Sequence, residues 1–186
     1  MATAGAPRYA PALCIALAAL VVASVVSGWV LGGRIFDGIA PGGAPVAVPD
    51  RGAGETVVEL SDDAERHPAA GPVRDQLQRY FDAINSRDHA LWTTAVVAER
   101  VAAQPREQWT AAVDTTVDGT IRVDRIDDLG PDRVLALVRF VSTQSLDDAP
   151  AELRVPRICW RGALPMTGSP PRLATGDAAS MLSASC

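Results

Sequence analysis

Between Arg8 and Arg34 the chain carries no charged residue. Residues 12–31 read ALCIALAALVVASVVSGWVL. A helix of about 20 apolar residues, rising 1.5 Å each, crosses the hydrocarbon core of a bilayer. Apolar side chains run all round it, which excludes an amphipathic helix lying on a surface. Tyr9 and Trp29 stand near its two ends, where aromatic rings favour the membrane interface. We read residues 12–33 as a transmembrane helix and residues 1–11 as a short cytoplasmic tail. A cleaved signal peptide would have an apolar region of ~7–15 residues and then a small-x-small site. This run is longer, and no clear Ala-x-Ala site comes after it.

Arg8 and Arg34 flank the span, so arginine count alone is nearly balanced. A long downstream domain translocates largely regardless of charge, which places the carboxyl-terminal bulk outside the cytoplasm. The expectation is a single-pass protein of the cell membrane, with its apolar segment as signal anchor. Of the 17 basic and 22 acidic residues, two basic and no acidic ones precede Ile35, so the exported part carries a net −7. An acidic chain is a poor general nucleic-acid binder, since displacing counterions needs basic surface. With three cysteines and two histidines, no zinc site is expected. No cofactor is expected: no Walker or Rossmann glycine pattern occurs, and no Gly-x-Ser-x-Gly phrase.

From residue 34 to 71, repeated Gly and Pro break any periodicity, as in a tether. Residues 56–60 can form a short strand, and the acidic run at 61–63 reads as solvated. Helical spacing begins at Pro72. Val73, Leu77, Tyr80, Phe81 and Ile84 make one apolar stripe of about four turns. Asp88 can cap a second helix carrying Leu91, Trp92, Val96 and Val97. Pro105 opens a third, with Trp109 and Val113 inward. After Gly119 the period becomes two. Strands are expected from Ile121, over 134–141, over 158–164 and briefly at 172–175, with a turn cluster at 127–132. The tail from Gly176 reads as small and polar except for Met181 and Leu182. Helices followed by hairpin-connected strands imply an α+β domain, helices on one face of an antiparallel sheet, over residues 72–186.

The stretch PVRDQLQRYFDAINSRDHALW, residues 72–92, resembles the opening of nuclear-transport-factor-two-like domains, also called SnoaL-like or ketosteroid-isomerase-like cones. Phe81, Ala83, Asn85 and Asp88 match the Phe-x-Ala-x-Asn-x-x-Asp phrase that ends their first helix. The phrase VRFVSTQSLDDAP, residues 138–150, and the pair Cys159-Trp160 resemble actinobacterial proteins with one amino-terminal membrane helix. The resemblance implies a cystatin-like cone, three helices against a curved antiparallel sheet, and an extracytoplasmic location. It implies no particular reaction.

Cys159 and Cys186 are either a disulfide or two free thiols. The resembling proteins also end in a cysteine after one in this strand, which implies the disulfide. Its loop of about 27 residues would be worth roughly 3–4 kcal/mol. Cones of this class imply a pocket between helices and sheet, where acids and tyrosines can move protons. The candidate pocket residues are Tyr80, Trp92, Trp109 and Arg139. Each also has a structural reading: Tyr80 and the tryptophans as core anchors, Arg139 in an ion pair or reaching solvent. His67 is expected to be exposed, and Asp88 with His89 to belong to a helix start. The leading expectation is a non-enzymatic binding or assembly domain, with a homodimer or another envelope protein as partner. The alternative is a small-molecule or isomerase-like cone using a pocket near Tyr80.

A reporter fused to the carboxyl terminus tests the orientation. An enzyme active only in oxidising compartments should function there; one active only in the cytoplasm should stay silent, and its activity would overturn the assignment.

Overall fold

The computed structural model describes residues 47–175 and 180–186. The expected cytoplasmic tail, the transmembrane helix with Cys14, and residues 34–46 of the expected tether lie outside the described residues. No helix among the described residues is long and apolar enough to cross a membrane.

The remainder of the expected tether contributes to the fold, which corrects the boundary at Pro72. Strand β1 (Glu59–Leu60) pairs in parallel with β2 (Val117–Gly130). The acidic run after β1 opens helix α1 (Asp62–Glu65). Ser61 caps it, accepting the Ala64 N–H at 3.1 Å, while its hydroxyl donates to the Asp124 carbonyl at 2.6 Å. Acids in a first helical turn complement the helix dipole, so these are not merely solvated charges. Val58 and Ala64 are buried in the core. Upstream, the carbonyls of Glu55 and Ala53 accept the Thr120 N–H at 2.7 Å and its hydroxyl at 2.6 Å. Those bonds hold Thr120 in a left-handed conformation, φ 49°, at a bulge of β2. Gly119 lies against this crossing, where an added Cβ would stand 2.6 Å from the Gly54 carbonyl oxygen.

Helix α2 (Ala70–Ser86) buries Val73, Leu77, Phe81 and Ile84, the stripe expected from the spacing. It ends at Arg87, φ 56°. The Asp88 and Arg87 N–H groups bond the Ala83 and Ile84 carbonyls at 2.9 and 3.1 Å, a Schellman closure. Asp88 then caps α3 (His89–Ala95), accepting the Leu91 N–H at 3.0 Å. The expected continuation through Val97 does not form. Val96 is extended and buried, bridges Leu173 in parallel, and Val97 donates to the Leu173 carbonyl at 3.0 Å. Two adjacent β-branched residues give little to a helix and more to a pleated edge. A short helix α4 (Ala98–Ala103) comes next, then α5 (Arg106–Val113), with Pro105 at its N-cap rather than inside its first turn. The three expected helices therefore correspond to α2, α3 and α5, with α1 and α4 in addition.

The sheet is curved and unclosed. β2, β3 (Arg133–Thr143) and β4 (Arg157–Thr167) form an antiparallel meander. β2 runs on to Gly130, so most of the expected turn cluster is strand and the turn itself is Pro131-Asp132. Three register shifts along β2 bend it. The free edge of β4 is shared by β5 (Arg172–Leu173) and β6 (Met181–Ser185), both antiparallel to it. β6 lies in the tail that reads as small and polar except for Met181 and Leu182. Val134, Ala136 and Val138 of β3 face the helices and join the α2 stripe in one core.

Asn85 ties the two layers together. Its side-chain amide donates to the Asp118 carbonyl at 2.9 Å and accepts the Asp118 N–H at 2.7 Å. Each matched position of the Phe-x-Ala-x-Asn-x-x-Asp phrase thus has a mechanical role: Phe81 and Ala83 are buried, Asn85 clamps β2, and Asp88 caps α3. Replacing Asn85 by Ala leaves two β2 backbone groups unpaired, so we expect a loss of about 1–3 kcal/mol in urea denaturation. Stability within a few tenths of wild type would mean that the clamp contributes nothing.

Candidate functional site

A cavity of about 250 Å³ opens between α2, α4 and the sheet. Its walls are largely apolar: Phe81 from α2, Phe140 from β3, Leu164 and Pro165 from β4, Leu173 from β5, and Met181 from β6. Phe81 and Phe140 meet at 5.1 Å between ring centroids, and Phe140 stacks on Trp160 at 6.1 Å. The charged feature of the wall is Arg100, from α4. Its Nη2 donates to the Tyr80 hydroxyl at 3.1 Å, and its guanidinium carbon stands 5.3 Å from the centre of the Tyr80 ring. Cation–π contact and hydrogen bond together fix the orientation of both side chains. The phenol oxygen accepts from Arg100, so its own O–H is left to donate.

β6 supplies Met181 to this wall with little core of its own, because its residues beyond Met181 are exposed. The Cys159–Cys186 disulfide secures its end, and Met181 seats against Gly162, where an added Cβ would stand 2.5 Å from its sulfur. The two cysteines therefore stand within disulfide distance, as the resemblance implies.

Of the four expected pocket residues, Tyr80 alone lines the cavity. Trp92 and Trp109 are core, 1% and 2% exposed. Their rings lie 5.5 Å apart and both meet His89, at 5.3 and 5.4 Å, as α3 packs on α5. Arg139 belongs to the other face of β3, because side chains alternate along a strand and Phe140 takes the inner face. There it pairs with Asp124 at 2.6 Å and donates through Nη2 at 2.7 Å. His67 is not exposed as expected. Its ring is 14% exposed, accepts the Ala69 N–H through Nδ1 at 3.1 Å, and points Nε2 toward Asp128 at 3.3 Å.

The other wall residues, Arg100, Phe140, Leu164 and Met181 among them, are not pocket candidates in the sequence reading. Arg100 stands 20 residues after Tyr80, and no periodicity links residues on different elements. Among the described residues, no group of three or more His, Cys, Asp or Glu side chains could hold a metal.

Two acids away from the cavity are perturbed. Thr115 and then Ser145 donate their hydroxyls to Asp148, which lowers its pKa. That knot explains part of the VRFVSTQSLDDAP phrase as loop chemistry. Its Ser142 donates to Asp118, which is 3% exposed beneath α2. Burial raises the Asp118 pKa to about 6, against the opposing pull of the Ser142 hydrogen bond. A folded-state pKa above the unfolded one means that the native state holds the proton more tightly. This contribution is complete below pH ~4, falls as pH rises to about 6, and leaves a cost of about 3 kcal/mol above it. Asp118→Asn should therefore raise the melting temperature at pH 7.5 and flatten its change between pH 4 and 6. An unchanged pH profile would show that Asp118 is not the group responsible.

No family model, curated protein or solved structure matches the chain.

Proposed function

We propose that this chain is a non-enzymatic binding domain, held at a membrane by residues 12–33 and displayed outside the cytoplasm, with its ligand in the cavity beside Tyr80. The order of elements, helices and then a curved sheet, supports kinship with nuclear-transport-factor-two-like cones and the actinobacterial single-pass proteins. The observation that carries the reading is the Tyr80–Arg100 pair set into a largely apolar cavity, whose rim also carries Thr175 and Ser180. A site that binds needs an apolar body and a few oriented polar groups. Proton transfer near neutral pH needs a group that gives up and regains a proton there, and a guanidinium does not. Among the described residues the wall has no carboxylate, imidazole or thiol to take that part.

Assembly with an envelope protein would use another surface, the outer face of the sheet. Arg122, Arg139 and Arg161 stand in register across β2, β3 and β4 on that face. Asp124 is the carboxylate that pairs with Arg139 there, and it lies 3.6 Å from Arg122. Two such rows brought together would repel. A face-to-face homodimer is therefore disfavoured, and an acidic partner suits this surface better.

Organic extraction of the full-length protein, purified from its own membrane, should release a small molecule in stoichiometric amount. Leu164→Trp fills the cavity, and should release less than a tenth as much while keeping the wild-type circular dichroism spectrum. Equal release from both proteins would place the ligand elsewhere and sink the reading.

A further inference from the structure

We infer that the cavity selects a small monocarboxylate: an apolar body with one anionic end held by Arg100 and Tyr80. The inference rests on the cavity being a binding site, and it adds the chemical class of the ligand.

The argument begins with an uncompensated cation. Arg100 is half-buried, and among the described residues its polar partner is the neutral Tyr80 hydroxyl; no carboxylate lies within ion-pair distance. Arg66, Arg74, Arg125, Arg139 and Arg154 each have an aspartate within 3.3 Å, and Arg79, Arg87 and Arg157 bond uncharged oxygens away from the cavity; what sets Arg100 apart is that it lines the cavity wall. A guanidinium beside apolar walls loses hydration that a phenol oxygen replaces only in part. An anion would supply the missing charge and charge-assisted hydrogen bonds. The donors suit a single carboxylate. Arg100 offers its remaining N–H groups, and the Tyr80 O–H is free to point at a second oxygen. One positive charge balances one negative charge, whereas a phosphate dianion would leave a negative charge facing Phe140 and Leu164.

The rest of the wall sets the size. Phe81, Phe140, Leu164, Leu173 and Met181 offer no charge to a second polar end. At about 250 Å³ the cavity is smaller than the usual drug-sized site, which suits a short-chain acid.

The test compares hexanoate, 1-hexanol and hexylamine, which share a tail and differ in head group. Binding to the full chain is followed by NMR titration, with free probe concentration measured. Hexanoate should bind at least tenfold more tightly than 1-hexanol, and hexylamine more weakly than either. Arg100 lies on α4, which has no buried residue, so Arg100→Gln should fold. This variant should bring hexanoate down to the affinity of 1-hexanol and leave 1-hexanol unchanged. Tyr80→Phe should weaken hexanoate several-fold. Equal affinity for hexanoate and 1-hexanol in the wild type overturns the inference while the cavity remains a binding site. Failure of all three probes to bind removes both readings. Asp177, in the stretch between Thr175 and Ser180 outside the described residues, supplies a further control. If Asp177→Asn alone creates tenfold selectivity for hexanoate, the carboxylate that Arg100 holds is the chain's own, and the ligand assignment fails.

Discussion

The two hydrogen bonds between the Asn85 amide and the backbone of Asp118 set the relation of helix to sheet. They join the last turn of α2 to the first residues of β2. Once that end is pinned, the apolar stripe from Val73 to Ile84 can settle only along the inner face of the meander. Tyr80 then comes to the edge of the stripe, beside Phe81 but turned toward α4. The cavity is the space left where the helix parts from β4 and its short edge strands.

Much of the molecule serves that arrangement. The Schellman closure at Arg87 and the Asp88 cap turn the chain sharply, so α3 packs back on α2. The cluster of His89, Trp92 and Trp109 holds α3 and α5 together. Val96 leaves helical geometry to bridge Leu173, and this brings α4 with Arg100 up to the cavity. On the far side, the Cys159–Cys186 bridge keeps β6 on an edge where burial alone would hold it weakly. Residues that look chemical in the sequence, such as Trp92, Trp109 and Arg139, serve packing and charge pairing. Among the described residues, Arg100 is the charged side chain that lines the cavity.

Local order was the legible part of the fold. The α2 stripe, the Asp88 cap, the central position of β3 and the α+β class come from periodicity and end signals. Helix α1 was hidden because its four residues hold one buried side chain, Ala64, and no period can be read from one position. β6 was hidden because the inward side of a small edge strand asks only for Met181. The site was legible at one residue. Tyr80 stands on a helical stripe, while its partners come from α4 and four separate strands.

By itself, the sequence determined the apolar segment of membrane-spanning length, the acidic balance of the residues beyond it, the main helices and strands, and the two cysteines able to pair. These depend on neighbours along the chain, on composition, or on counting. Tertiary structure decided that residues 53–71 belong to the fold, that Asp118 is buried beneath α2, and that Arg100 meets Tyr80 beside an apolar cavity. The physical reason is distance along the chain: hydrophobic periodicity shows which face a residue takes, and only packing shows what lies across from it.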